Sequence, residues 1–276
     1  MQVAFTKMHG LGNDFVLLDG LAHAIDIDAA KVRRLADRRL GVGCDQVLLL
    51  EPARRDGVAA RYRVFNADGG EVEHCGNGAR CVARYLKDRG HTRHDAIIIE
   101  ALAGLIRLDC REDGSVRVDM GPPRLLPGEV PMLASAPAEL YEVPLGTGSV
   151  RVAALSLGNP HVVLRVDAIA TAPVAELGAA IATHALFPQG ANVGFMEVLD
   201  DGHIRLRVFE RGVGETPACG TGACAAVVVG RRQGLLGPAV DVGLPGGHLW
   251  IEWAGQGQPV YMSGPATHAF EGRIEL

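Results

Sequence analysis

The spacing of apolar and polar residues changes period along the chain, and each change predicts an element. Ala60, Tyr62 and Val64 alternate with Arg61 and Arg63, and Ile204, Leu206 and Val208 alternate with His203, Arg205 and Arg207. A period of two predicts a half-buried strand at both places. Residues 29–40 set Val32, Leu35, Ala36 and Leu40 at helical spacing, which predicts an amphipathic helix there. The stretches ARCVARYLKDRG and ACAAVVVGRRQG, each after a Cys-Gly-x-Gly turn, consist of helix formers. Strand, glycine-rich turn, cysteine and helix follow one another, and they do so twice.

The repetition extends beyond the pattern. Residues 62–79, YRVFNADGGEVEHCGNGA, and residues 206–223, LRVFERGVGETPACGTGA, are identical at nine of eighteen positions. LGNDFVLL at 11–18 answers LGNPHVVL at 157–164, and Val118-Asp119-Met120-Gly121-Pro122 answers Val260-Tyr261-Met262-Ser263-Gly264-Pro265 with one insertion. The order is the same in both halves, which predicts a duplicated domain and not a solenoid, whose period is shorter. The fold class expected is α+β, an α/β two-domain duplication. Residues 121–150 hold Pro122, Pro123, Pro127, Pro131, Pro137 and Pro144, and read as an extended connection.

Composition narrows the partners. Hydrophobic residues are 48% of the 276, charged residues 21%, aromatics 5%, and the net charge is −5. That is a globular balance, and without basic runs interleaved with aromatics it argues against nucleic acid. The N-terminal MQVAFTKMHGLGNDF has no apolar leader core, and no apolar run reaches membrane-spanning length, so a cytoplasmic protein without membrane attachment is expected. The six cysteines then read as reduced thiols.

Cys75 and Cys219 each stand just before a predicted helix. Unpaired N–H groups and the helix dipole favour negative charge there, so a thiol of lowered pKa is expected. The glycines that follow let backbone amides approach an anion such as a carboxylate. Two thiols in opposite protonation states suit the inversion of a stereocentre, one removing a proton and the other returning one. The amides would stabilise charge developing on the carboxylate. A cofactor-independent racemase or epimerase acting on an amino acid is the expectation, with no metal and no cofactor. Cys44, Cys81, Cys110 and Cys224 read as small buried hydrophobes, and the cysteine spacings do not suit zinc. His23, His91, His94, His184, His203, His248 and His268 lie in no shared motif and read as surface or structural residues. His161, after Gly158-Asn159-Pro160, reads either as a turn histidine or as a site residue.

The stretches MHGLGNDF (8–15), GVGCDQVLLL (41–50), FNADGGEVEHCGNGARC (65–81), LGNPHVV (157–163), GANVGF (190–195) and FERGVGETPACGTGACA (209–225) resemble the diaminopimelate epimerase family, pyridoxal-phosphate-independent enzymes of lysine and peptidoglycan precursor synthesis. The resemblance implies two pseudo-symmetric domains, each with strands curled around a central helix, and an active site in the cleft between them. The C-terminal tail of such proteins returns to the first domain, which divides the chain into 1–120 plus 265–276 and 121–264. Cys75 and Cys219 correspond to the acid/base pair. Gly76, Asn77, Gly220 and Thr221 correspond to the amides that hold the reacting carboxylate, and Asn13, Gln46, Asn66, Asn159 and Asn192 to polar substrate contacts. Glu210 and Arg211 complete the set; His161 and Glu210 are implied to tune the thiols and hold the reacting ammonium, and Arg211 to pair with the distal carboxylate. A homodimer is implied, although Phe270 stands where many members carry a tyrosine at the dimer contact.

Two other readings compete. Proline racemase-like proteins also use paired cysteines, but lack the Gly-Cys-Asp-Gln stretch and the Glu210-Arg211 pair in this setting. Cys75 with His161 and Asn159 spells a Cys/His/Asn hydrolase, which needs one cysteine where the repeat supplies two. A thiol redox protein fits less well, because no Cys-x-x-Cys is present.

Overall fold

The runs FVLL at 15–18 and VLLL at 47–50 are apolar at every position, so neither strand has a face suited to water. In the computed structural model, which describes residues 2–72, 75–102, 104–146 and 148–276, both strands are covered on two sides. The chain divides into two compact units, Met1–Asp119 with Ser263–Leu276, and Met120–Met262.

The first unit runs β1 (Gln2–Gly10), β2 (Asn13–Asp19), α1 (Ala29–Ala36), β3 (Gln46–Glu51), β4 (Ala60–Asn66), β5 (Glu71–Val72), α2 (Gly76–Asp88), β6 (Ala96–Ala101), β7 (Gly104–Cys110) and β8 (Ser115–Asp119). Strand β2 pairs antiparallel with β1 and parallel with β3, while β4 pairs antiparallel with β3 and β5 and parallel with β6. Strands β6, β7 and β8 continue antiparallel. The second unit runs β9 (Tyr141–Leu145), β10 (Gly148–Ser156), β11 (Pro160–Arg165), α3 (Val174–Ala182), β12 (Asn192–Val198), β13 (His203–Glu210), β14 (Gly214–Thr216), α4 (Gly220–Arg232), β15 (Ala239–Leu244) and β16 (Gly247–Trp253). From β10 onward its pairings repeat those of the first unit: antiparallel β10–β11, parallel β11–β12, antiparallel β12–β13 and β13–β14, parallel β13–β15. Strand β17 (Val260–Pro265) crosses the boundary at Ser263, and β18 (Thr267–Glu275) lies antiparallel to β1.

Alternation along the doubly covered strands sets the layers. Val16, Leu18, Val47, Leu49 and Phe65 pack with Val32 and Leu35 of α1 in one core. The side chains between them in sequence take the other face, where α2 lies against β1, β2, β7 and β8. In the second unit Val162, Leu164, Val193 and Phe195 pack with Val174 and Ile181 of α3, and α4 lies on the opposite face against β10, β11, β12, β13 and β16. Each unit is therefore helix, sheet, buried helix. The parity also fixes which polar residues face the buried helix: Gln46 and Asn66 in one unit, His161, Asn192 and Glu210 in the other.

Helix α1 is shorter than its pattern predicts. Asp28 caps its start by accepting from the N–H groups of Ala30 and Lys31. It stops at Ala36 because the Asp37 carboxylate takes the N–H groups of Arg39 and Leu40 at 2.7 and 2.8 Å, leaving Leu40 80% exposed. The proline-rich connection is likewise more structured than an extended tether. Pro127–Glu129 forms a 3-10 turn, and β9 pairs with β10 with Pro144 exposed opposite Ser149. An Arg–Glu fork recurs in the two copies. Arg63 grips Glu71 at 2.8 and 2.7 Å, and Arg207 grips Glu215 at 2.6 and 2.8 Å, tying β5 to β4 and β14 to β13 just before each cysteine.

The cysteines outside the motifs are buried. Burial pushes the Cys44 and Cys81 thiols up to about 12. Because the folded thiol holds its proton more tightly than the unfolded one, this contribution to stability is whole below the unfolded thiol pKa near 9 and is lost above it. Each such thiol costs about 1.4 kcal/mol per pH unit beyond that point. The melting temperature should fall between pH 9 and 11, and less steeply in Cys81→Ala. A wild-type melting temperature that stays level over this range would contradict the account.

Candidate active site

Helix α2 begins at Gly76 with Cys75 as its N-cap, in extended backbone conformation. The Gly78 N–H donates to Cys75 Sγ at 3.4 Å, and the remaining first-turn amides, those of Gly76 and Asn77, have no acceptor within the helix. The helix start is closely packed at 78, where a Cβ would stand 3.1 Å from the Leu48 side chain and 3.5 Å from the Cys75 Cβ. The Tyr62 hydroxyl lies 3.4 Å from both the backbone N and O of Cys75 and fixes the cap from β4. Asn13, at the start of β2, holds its Oδ1 4.0 Å from Cys75 Sγ and accepts from Asn77 Nδ2 at 3.2 Å. Gln46 and Asn66 are register partners on β3 and β4, and Gln46 Nε2 donates to Asn66 Oδ1 at 2.8 Å. Gln46 Oε1 and Asn77 Oδ1 are buried and have no hydrogen-bond partner among the described residues. They are acceptors suited to an ammonium donor.

The second unit repeats this frame with different side chains. Cys219 is the N-cap of α4 and is 4% exposed. Its Sγ lies 3.7 Å from Thr221 Oγ1, and a Cβ on Gly222 would sit 3.3 Å from that sulfur. Asn159 Nδ2 donates to Thr221 Oγ1 at 3.5 Å, while Asn159 Oδ1 takes the His161 Nε2–H at 3.0 Å. Glu210 accepts from the Thr216 hydroxyl. Asn192 is engaged by backbone at both ends of its amide, donating to Pro160 O at 3.4 Å and accepting the Arg211 N–H at 2.9 Å. The exposed Arg211 guanidinium donates to Gln189 O.

Electrostatics correct one expectation. Cys219 does not have a lowered pKa: burial and the neighbouring Glu210 carboxylate push it well above the usual thiol range, against the weaker pull of Thr221 and the Gly222 N–H. Desolvation of the thiolate outweighs the helix end, so Cys219 rests protonated. His161 is also buried, and burial together with the Arg211 charge pulls it down to about 3, which keeps the imidazole neutral. With Nε2–H spent on Asn159, its Nδ1 carries the lone pair.

The structure thus gathers Asn13, Gln46, Asn66, Cys75, Gly76 and Asn77 in the first unit, and Asn159, His161, Asn192, Glu210, Arg211, Cys219, Gly220 and Thr221 in the second. Tyr62, Thr216 and Gln189 belong with them; Tyr62 and Thr216 lie inside the repeated stretches, which do not mark their roles, and Gln189 lies outside them. Only the backbone of Gln189 is used, and the hydroxyls act across strands that sequence alone does not pair. Among the described residues, no group of three or more His, Cys, Asp or Glu is gathered as a metal ligand set.

The fold, a duplicated α/β unit with a buried helix in each copy, is the two-domain class seen in solved epimerase structures. A hydroxyproline epimerase from Agrobacterium vitis superimposes with a TM-score of 0.71 over 99% of this chain and 92% of its own, at 17% identity. A probable proline racemase from Agrobacterium radiobacter gives 0.69 over 99% and 93%, at 19% identity. At that identity the likeness is one of fold. The particular family is narrower: residues 5–126 and 153–269 match the diaminopimelate epimerase model. The diaminopimelate epimerase of Thioalkalivibrio sulfidiphilus is 56% identical over 278 residues, and that of Chromobacterium violaceum 54% over 276, each covering 100% of both chains. This chain belongs to the diaminopimelate epimerase family.

Proposed function

We propose that this chain is an isomerase that interconverts LL- and meso-2,6-diaminopimelate in lysine and peptidoglycan precursor synthesis. Full-length identity above one half to diaminopimelate epimerases carries this reading, and the paired cysteine caps supply its chemistry. One thiol, as thiolate, takes the α-proton from one face of the carbon; the other, as thiol, gives its proton to the opposite face. The sulfurs exchange protonation states, no other bond changes, and the reverse reaction uses them in reverse order. The N–H groups of Gly76, Asn77, Gly220 and Thr221 hold the reacting carboxylate as charge builds on it. Because burial and Glu210 hold Cys219 protonated, its thiolate is a strong base once formed. His161, held neutral by burial with its Nε2–H on Asn159, adds no charge beside the site.

The distal end of the substrate is a second amino acid. Arg211 pairs with its carboxylate, and the acceptors of Gln46, Asn66 and Asn77 suit its ammonium. The enzyme works in the cytoplasm as a homodimer and needs no cofactor in this reading; sedimentation tests the dimer, to which Phe270, 49% exposed on β18, is available. Among the described residues no helix is long and apolar enough to cross a membrane. The direct test is to incubate the pure protein with LL-diaminopimelate without added pyridoxal phosphate. The meso isomer should accumulate to equilibrium. Absence of meso product, or racemisation of proline instead, would overturn the reading.

Gly190 offers a check on the distal site. Its φ is +69°, and a Cβ would stand 2.8 Å from Arg211 Cδ and 3.0 Å from Ala182 O. Gly190→Ala should therefore displace the guanidinium and raise KM about tenfold, or about 1.4 kcal/mol of binding, with a smaller change in kcat. An unchanged KM would show that Arg211 does not read the substrate.

A further inference from the structure

The two site asparagines at equivalent positions in the repeat are set with opposite polarity. Asn159 turns its NH2 toward Thr221 and its oxygen toward His161, whereas Asn13 turns its oxygen toward Asn77 and Cys75. The cause in the first unit is Asp45. Its Oδ2 accepts from Asn13 Nδ2 at 3.0 Å and from the Asp14 N–H at 3.1 Å, and its Oδ1 accepts from Arg38 at 2.8 Å. A carboxylate only accepts hydrogen bonds, so the NH2 end of Asn13 must face it and the oxygen must face the helix start.

The carboxylate is itself held. Arg38 forks onto Asp14 at 2.9 and 2.8 Å, Lys7 reaches Asp14 at 2.7 Å, and the Asp45 N–H donates to Asp14 Oδ1 at 2.8 Å. The Arg38 and Lys7 hydrogen bonds hold the Asp14 carboxyl well below its usual range. In the second copy the corresponding residues are Pro160 and Ala191, so that unit has no such clamp. The two acids stand in one half of the duplication only.

We infer that Asp45, braced by Arg38 and Asp14, is a positioning residue that fixes the Asn13 carboxamide with its negative end toward Cys75 and so favours the protonated thiol there. The Gly78 N–H pulls the same sulfur toward the thiolate, and Asn13 opposes it. The catalytic consequence rests on Cys75 being a proton carrier, but a thiol titration reads the geometry without turnover. Two titratable neighbours of Cys75, Tyr62 from β4 and Cys81 within α2, stay protonated in the working range because burial pushes both up. Behind Asp45 stand Arg38, Asp14 and Lys7.

The test is the pH dependence of iodoacetamide alkylation, followed at Cys75 and Cys219 separately by peptide mass spectrometry. In Asp45→Asn the half-alkylation pH of Cys75 should fall by roughly half to one unit, the size of one hydrogen bond expressed as proton affinity. Cys219 should not move. Removing a carboxylate also lowers a nearby thiol pKa through space, so both substitutions are combined. Asn13→Ala alone should give a similar fall, and adding Asp45→Asn to it should give no more. An unshifted Cys75 in either single variant, or a shift from Asp45→Asn that persists in full without Asn13, would overturn the inference. Arg38→Gln, at an exposed side chain outside the site, gives the same direction with a smaller shift and provides the readout if Asp45→Asn does not fold.

Discussion

Cys219→Ala and Cys75→Ala are each expected to lose inversion almost completely. Among the described residues the neighbours of Cys75 are carboxamides, the buried Tyr62 and the buried Cys81. Beside Cys219 the Glu210 carboxylate already accepts from Thr216, and His161 is neutral and bonded to Asn159. A remaining single thiol removes a proton and returns one only to the face it came from. Isotope exchange without inversion is the expected residue of activity, one isomer favoured by each variant. Both proteins should stay folded, since alanine at 75 loses one weak capping bond from the Gly78 N–H and alanine at 219 loses no side-chain cap bond. Inversion within tenfold of wild type in either variant, a barrier difference of about 1.4 kcal/mol, would contradict the two-thiol account.

Arg211→Met comes next in expected size. The guanidinium is exposed and its hydrogen bond among the described residues goes to a backbone oxygen, so its loss should leave the fold intact. The charged fork lost toward the distal carboxylate is worth ~1.5–3 kcal/mol or more when water is excluded. kcat/KM should therefore fall by one to two orders of magnitude or further, with the melting temperature nearly unchanged. A destabilised protein with normal turnover would make Arg211 structural.

Much of this was legible before any coordinates. The repeated strand, turn, cysteine and helix announced a duplication, and the pairing pattern of β10–β15 repeats that of β1–β6. Other features depend on contacts made across strands or on burial, which local pattern does not encode. The Asp37 turn cut α1 short of Leu40. Pairing of β9 with β10 drew part of the proline-rich segment into the sheet. Enclosure reversed the expected effect of the helix end on Cys219, because a motif shows which groups stand near the sulfur but not how little water reaches it. The Asp14–Asp45 pair was not singled out in the sequence, and its meaning required knowing that Asn13 lies between Asp45 and Cys75.

The central claim, proton removal and return by two different thiols, is tested most directly in deuterated water. Pure LL-diaminopimelate is incubated with the enzyme, and both isomers are separated early, before reverse reaction matters. The account predicts meso product carrying one deuterium, at the inverted α-carbon, while the unreacted LL isomer stays unlabelled. Deuterium entering the LL isomer as fast as meso product forms would mean that one base serves both faces, and the assignment of Cys75 and Cys219 to opposite faces would fall.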